Sequence, residues 1–190
     1  VDPVQILTVG MSFMSARFLG AAVEFNLFEH LADGPLGLDE LARATGLPGL
    51  ALRVLANGLV ALELLELREG KFANGASAQA YLTGRTSIDL RPGLRFFNHI
   101  VYPMWTQFET AVRTGEPAHP PQASGEFARI FSEGVEAWTS IAANVLPDRY
   151  DFSRHQRLLD VGGGTGSYLV PILERHPHMR ATLFELPPSA

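Results

Sequence analysis

The stretch Arg157-Leu158-Leu159-Asp160-Val161-Gly162-Gly163-Gly164-Thr165-Gly166-Ser167 constrains this chain more than any other part of it. Its apolar opening reads as a buried parallel strand, since only Asp160 interrupts the run from Leu158 to Val161. The glycines read as a tight turn, and the residues after them as a helix that Pro177 follows. Beyond His176 to Met179 comes a second strand, Ala181-Thr182-Leu183-Phe184, which ends in Glu185-Leu186-Pro187. Strand, glycine loop, helix, strand and acid make the first half of a nucleotide-binding fold. In that fold the acid is placed to accept hydrogen bonds from ribose hydroxyls.

The details of the loop narrow the ligand. A dinucleotide fingerprint needs glycine at its first, third and sixth positions. Here these are Gly162, Gly164 and Ser167, so the last is missing, while Gly166 falls at the fifth position and Asp160 precedes the loop by two. A pyrophosphate favours a helix N-terminus whose free N–H groups carry positive charge, and an acid at that mouth repels it. The same acid suits a ligand bearing an ammonium group and a sulfonium, which points to S-adenosylmethionine. Glycine is needed because the backbone approaches the ligand closely and adopts positive φ. The cofactor-binding residues expected on this reading are Asp160, Gly162, Gly163, Gly164, Glu185 and Leu186, with Glu185 a bidentate acceptor for the ribose.

The rest of the chain reads as helical and well punctuated. Residues 4–31 are apolar nearly all round, with Arg17, Glu24, Glu29 and His30 as the charged or titratable groups. Such a helix must be covered, and a second subunit is the expected cover. Gly34-Pro35 then breaks the pattern, Gly37 is placed to cap a short helix with Asp39 and Glu40 in its first turn, and Gly46 ends it. After the turn Leu47-Pro48-Gly49, the leucines Leu52, Leu55, Leu59 and Leu62 share one helix face. Leu65 and Leu67 alternate with charged residues, Glu69-Gly70 supplies a turn, and Phe72 begins a return strand. Helix, turn, helix and hairpin make a winged helix.

Charge argues against the nucleic-acid role that a winged helix invites. Between Asp39 and Lys71 the bases Arg43, Arg53, Arg68 and Lys71 face five acids, and the whole chain carries a net charge of −5. Farther on, Arg91-Pro92-Gly93 starts a helical segment and Pro103 falls in the first turn of the next. Gly115-Glu116-Pro117 with Pro120-Pro121 reads as a stiff surface loop, and a helix runs from about Gly125 to Leu146, closed by Pro147-Asp148. The chain has no cysteine, which removes disulfides, thiolate metal sites and cysteine nucleophiles and fits a reducing cytoplasm. The histidines show no metal-ligand context. Pro3 to Ala16, the longest uncharged stretch, falls short of a membrane span, and it does not read as a signal peptide with a basic n-region and a cleavage site. The expected partners are therefore a small molecule and a second copy of the chain, without nucleic acid, membrane or metal.

The run Leu159 to Gly166, followed by Phe184-Glu185-Leu186-Pro187, resembles two motifs of the small-molecule O-methyltransferases. These are typified by the plant caffeic acid and isoflavone enzymes and by bacterial antibiotic-tailoring enzymes of secondary metabolism. The N-terminal part is similar as well, in Asp39-Glu40-Leu41-Ala42, in Leu52 to Leu62 and in Trp105 through Pro117. The resemblance implies a mainly α chain with an α/β part. A helical winged-helix dimerisation domain over residues 1–94 would precede residues 95–190, which hold linker helices and the first βαβ unit of an incomplete Rossmann-like methyltransferase domain. It also implies a homodimer formed through the N-terminal helices.

Residue by residue, Gly162 matches the loop glycine that meets the methionine part of the cofactor, and Glu185 stands where the family usually has Asp. Phe131 through Ile141 resembles the helix between cofactor and acceptor, with Val135 in place of a frequent Met. From that match Val135, Trp138 and Thr139 are the expected substrate contacts, Trp138 also through cation–π attraction to the sulfonium. His99, Tyr102 and Trp105, spaced by three, are weaker candidates because Pro103 interrupts their helix. The implied chemistry is in-line transfer of a sulfonium methyl group to a hydroxyl of a small aromatic compound. Family members use a histidine base well downstream of the second-strand acid, so it is expected beyond Ala190 and no catalytic residue is assigned. The 190 residues are accordingly expected to be inactive alone and part of a longer polypeptide. The alternatives are a relative with altered or lost chemistry (a decarboxylase, a hydroxylase or a silent dimer) and, less favoured, a winged-helix regulator.

Overall fold

The computed structural model describes residues 3–119 and 125–186. Pro120-Pro121 of the expected stiff loop and Pro187 of the second-strand motif lie outside the described residues. The chain forms two compact units, Val1–Asn98 and His99–Ala190.

The first unit begins with α1 (Pro3–Glu24), and the chain turns at Asn26, whose φ of 51° is left-handed, into the short α2 (Leu27–His30). α3 (Leu38–Thr45) and α4 (Gly49–Ala61) follow, then a hairpin of β1 (Leu65–Arg68) and β2 (Lys71–Asn74), then α5 (Ala76–Tyr81) and α6 (Arg91–Phe96). The expected winged helix is present. Gly37 caps α3 and donates its N–H to Glu40 Oε2 at 2.8 Å, while Gly46 closes the helix with a φ of 71°. The hairpin pairs Leu65 with Asn74 and Arg68 with Lys71, and Glu69 and Gly70, both at positive φ, make its turn. Sequence reasoning missed a third piece of this sheet. Leu36 exchanges two backbone hydrogen bonds with Phe72, of 2.8 and 2.9 Å.

Leu27, Phe28, Leu41, Leu52, Leu59 and Leu65 form the centre of the core. Leu55 joins the α4 stripe, whereas Leu62 lies past the helix end and is half-buried. α1 contributes only Gly20, Ala22 and Val23 as fully buried residues, and Val4, Ile6, Leu7, Val9, Met11, Phe13 and Met14 are exposed. By length and composition this helix is long and apolar enough to cross a membrane, because it continues through Arg17 beyond the uncharged run.

A π-helical turn (Phe97–Val101) precedes α7 (Tyr102–Trp105). Pro103 lies in the first turn of α7, as expected, where its lack of an N–H is tolerated. The second unit continues with α8 (Phe108–Thr114), ended by Gly115 at positive φ, and α9 (Gly125–Arg149). α9 runs past its expected end at Leu146. Pro147 costs one hydrogen bond to Ala143, but the Tyr150 N–H donates to the Leu146 carbonyl at 3.1 Å and the last turn holds.

β3 (Arg157–Val161) and β4 (Arg180–Phe184) pair in parallel from Arg157 with Arg180 to Val161 with Phe184, linked by α10 (Leu169–Arg175). The βαβ unit is as expected, with two corrections. Helix α10 starts three residues beyond Gly166, after a series of turns, so no helix N-terminus meets the loop. The strand expected to be buried is covered on one side only. Leu158 packs with Phe152, Ile172 and Met179, but Leu159 and Val161, on the opposite face, are 62% and 67% exposed. Alternation along a strand sends them to a side where the described residues provide no covering layer.

Candidate functional site

The site forms where β3 and β4 end. The Gly162 N–H donates to the Phe184 carbonyl at 2.8 Å, which carries the ladder one step beyond the strands. The chain then turns with Gly162 at a φ of 72°, Gly164 at 57° and Gly166 at 81°, a region in which a side chain costs about 1–2 kcal/mol. Gly163 is glycine for another reason. A Cβ there would lie 2.3 Å from Asp160 Oδ2 and 2.6 Å from Leu183 Cδ1, so the carboxylate rests on bare backbone.

Glu185 folds back over the loop. Its Oε1 accepts from the Leu186 N–H at 2.7 Å and its Oε2 from the Gly164 N–H at 2.8 Å. These two bonds, the first the stronger, hold its carboxyl below the ordinary glutamate range. Asp160 is less satisfied: its buried Oδ2 accepts no hydrogen bond among the described residues. A buried carboxylate oxygen without a donor calls for a cationic or N–H-bearing ligand.

A cavity of about 370 Å³ opens here, lined from the strands by Asp160 and Glu185 and from the loop by Gly162, Gly163, Gly164, Thr165, Ser167 and Tyr168. Phe131, Ser132, Val135, Glu136 and Thr139 of α9 line its other side. The structure thus brings Val135 and Thr139 together with Asp160, the three glycines and Glu185. It does not bring in Trp138 or Leu186. Val135 and Thr139 are four residues apart on one helix face, and Trp138, three residues after Val135, lies about 100° from Thr139 and is 39% exposed. Leu186 is 71% exposed, and its N–H is engaged by Glu185.

Sequence reasoning did not single out Phe131, Ser132, Glu136 and Tyr168. The signal for three of them was the helical period, since Phe131 precedes Val135 by four and Ser132 precedes Glu136 by four. His99, Tyr102 and Trp105 line no part of the cavity. Trp105 instead sits 5.1 Å, ring to ring, from Phe108 in a shallow depression with Met104. Among the described residues no three His, Asp or Glu side chains are placed to hold a metal ion.

A winged helix with a long apolar N-terminal helix, joined in one chain to a βαβ unit with a glycine loop and two acids, defines a two-part, cofactor-binding class of protein. The family model of the O-methyltransferase dimerisation domain matches residues 8–84, and that of the O-methyltransferase domain matches residues 106–190. The chain belongs to the O-methyltransferase family.

It is 34% identical to the tetracenomycin polyketide synthesis 8-O-methyltransferase of Streptomyces glaucescens, over 97% of this chain and 57% of that protein. To the 3-hydroxy-5-methyl-1-naphthoate 3-O-methyltransferase of Streptomyces sahachiroi it is 30% identical, over 97% of this chain and 56% of that protein. Among solved structures, a methyltransferase of calicheamicin biosynthesis in its SAH-bound form superposes with a TM-score of 0.83 at 26% identity, over 100% of this chain and 61% of that one. The chain spans a little over half the length of the curated relatives it matches.

Proposed function

We propose that the protein transfers the methyl group of S-adenosylmethionine to a hydroxyl of a small aromatic natural product. Residues 1–94 would supply dimerisation, and residues 95–190 one part of the cofactor site. The observation that carries this reading is the Asp160 carboxylate, held on the bare backbone of Gly163 with Oδ2 unpartnered at the edge of the cavity. That donor set fits the cofactor, whose ammonium group satisfies the carboxylate. The flat glycine floor lets a ligand approach the backbone of Gly162 and Gly164.

When bound, the cofactor supplies an activated methyl carbon. Asp160, Gly162, Gly163, Gly164 and Glu185 would hold it, and its methyl group would be the one received by the acceptor hydroxyl. The residues of this chain bind and orient. Glu185 accepts from the ribose hydroxyls, and Val135 and Thr139 bound the acceptor side, excluding water. The proton of the hydroxyl passes to a base, a role assigned to none of the residues named above. Relatives whose names specify 8-O- and 3-O-methylation of polycyclic and naphthoate compounds support the choice of acceptor.

The exposed apolar face of α1 is proposed to pair with a second copy of the chain, because an uncovered helix of this length is costly in water. Light scattering on the purified protein is expected to give a dimer, and Phe13→Asp to shift it toward monomer. The chain's lack of cysteine suits a cytoplasmic location. Calorimetric titration of the full-length protein with S-adenosylmethionine tests the reading directly. Saturable binding with one site per chain is expected, and a flat trace overturns it.

A further inference from the structure

We infer that the cavity reads the charge of its ligand, and that Glu136 is the group that favours a sulfonium donor over the thioether product left behind. This rests on the function proposed above. The ionisable carboxylates lining the cavity are Glu136, Asp160 and Glu185, and no Lys, Arg or His is among the described lining residues. Of the three, Glu185 has a backbone N–H on each oxygen, and Asp160 lies under the loop with one oxygen buried and unpartnered.

Glu136 differs from both. It lines the cavity from α9 and is exposed, and no ion pair reaches it among the described residues. The contrast with its neighbour on the same helix is direct. Glu133 is paired with Arg129 at 3.0 Å and lines no part of the cavity. One acid of α9 is thus neutralised by its own helix, while the other is left to the ligand.

The chemistry of the two ligands assigns the roles. Donor and product share the ribose, the ammonium group and the carboxylate, so Glu185 and Asp160 meet the same groups in each. They differ in one feature, the positive charge on sulfur, which is present before transfer and absent after it. All three carboxylates feel that change, but Glu136 alone has neither a backbone N–H on it nor a shared ligand group assigned to it, so it is the one left to answer to the charge on sulfur. Its side chain is exposed, so the attraction is screened, and at a separation of a few ångströms beyond contact it corresponds to about a five-fold preference for the charged ligand. Transfer cancels that preference and favours departure of the product.

The test is calorimetric. The affinities of S-adenosylmethionine, S-adenosylhomocysteine and sinefungin, whose amine keeps a positive charge near the sulfur position, are measured at low and high salt. The proteins are the wild type, Glu136→Gln and, as an equal change of net charge outside the cavity, Glu133→Gln. In Glu136→Gln the preference for the two cationic ligands over S-adenosylhomocysteine is expected to fall about five-fold at low salt and much less at high salt. Glu133→Gln is expected to leave the preference unchanged. A ratio within two-fold of wild type in Glu136→Gln, or an equal shift in Glu133→Gln, overturns the inference and leaves the proposed function standing. Failure of all three ligands to bind the wild type overturns the proposed function, and this inference with it.

Discussion

Replacing Gly163 by Ala tests whether the glycine loop exists to position Asp160. The added Cβ meets Asp160 Oδ2 at 2.3 Å, Asp160 Cγ at 2.4 Å and Leu183 Cδ1 at 2.6 Å, all well inside van der Waals contact. Gly163 is not at positive φ, so the backbone itself accepts alanine and the penalty is steric. Relieving three such contacts means turning Asp160 out of its place or spreading β3 from β4, at a cost of about 1–3 kcal/mol. Urea denaturation measures that cost, and calorimetry is expected to show cofactor affinity down by at least about ten-fold, the loss of one charged hydrogen bond. Gly162→Ala is the control. It has a φ of 72° and nothing within 4 Å of its Cβ, so it loses about 1–2 kcal/mol to backbone strain while leaving Asp160 in place. In an Asp160→Ala background two of the three clashes vanish, and the Gly163→Ala penalty is expected to fall to roughly half, a coupling of the size seen between touching residues. A penalty that is the same in both backgrounds, or an affinity unchanged by Gly163→Ala, refutes the reasoning.

Three further outcomes are expected. The Glu185 carboxyl titrates below the ordinary glutamate value of 4.5, so its hydrogen bond to the loop is complete above that pH and is lost as pH falls through the lower folded value. The Gly164 amide resonance followed against pH should show a midpoint below 4.5, and a midpoint at or above it contradicts the contact. Gly58→Ala puts a Cβ 2.3 Å from the Phe18 ring where α1 crosses α4. It should destabilise the first unit by about 1–3 kcal/mol in urea, with partial recovery on adding Phe18→Leu. Arg91→Leu removes the one guanidinium shared by Asp89, at 2.7 Å, and Glu29, whose Oε2 is buried without a partner. A thermal melt should register about 2 kcal/mol, unless Glu29→Gln is made with it.

What the sequence made legible was punctuation and pattern. Gly46 and Glu69-Gly70 sit at left-handed backbone angles that few residues adopt, Gly37 is placed to cap α3, and each does in the structure what its position implied. The βαβ order was legible for the same reason. Other features depend on neighbours distant in sequence. Leu36 stands between Pro35 and Gly37 with no alternation around it, so its bridge to Phe72 had no local signal. The apolar run Leu158 to Val161 announced a strand, but an apolar run states what a residue prefers and not what lies over it, hence the exposure of Leu159 and Val161. Trp138 is expected with Val135 and Thr139 from the resemblance of their helix and from its cation–π chemistry, and it is not among the residues that line the cavity.

The consecutive glycines answer to two physical requirements that the sequence shows as one. Positive φ at Gly162 and Gly164 bends the chain, and the absence of a Cβ at Gly163 leaves room for the Asp160 carboxylate. The bend also aims the Gly164 N–H at Glu185 Oε2, so the same turn that seats one acid anchors the other. Both carboxylates are therefore fixed by the loop before any ligand arrives, and a ligand need not supply the free energy to order them. An alanine at any of the three positions perturbs a different member of this arrangement: the ladder bond to Phe184 at 162, Asp160 at 163, Glu185 at 164. Affinity for S-adenosylmethionine should then fall most at position 163, where the displaced group is the one left without another partner.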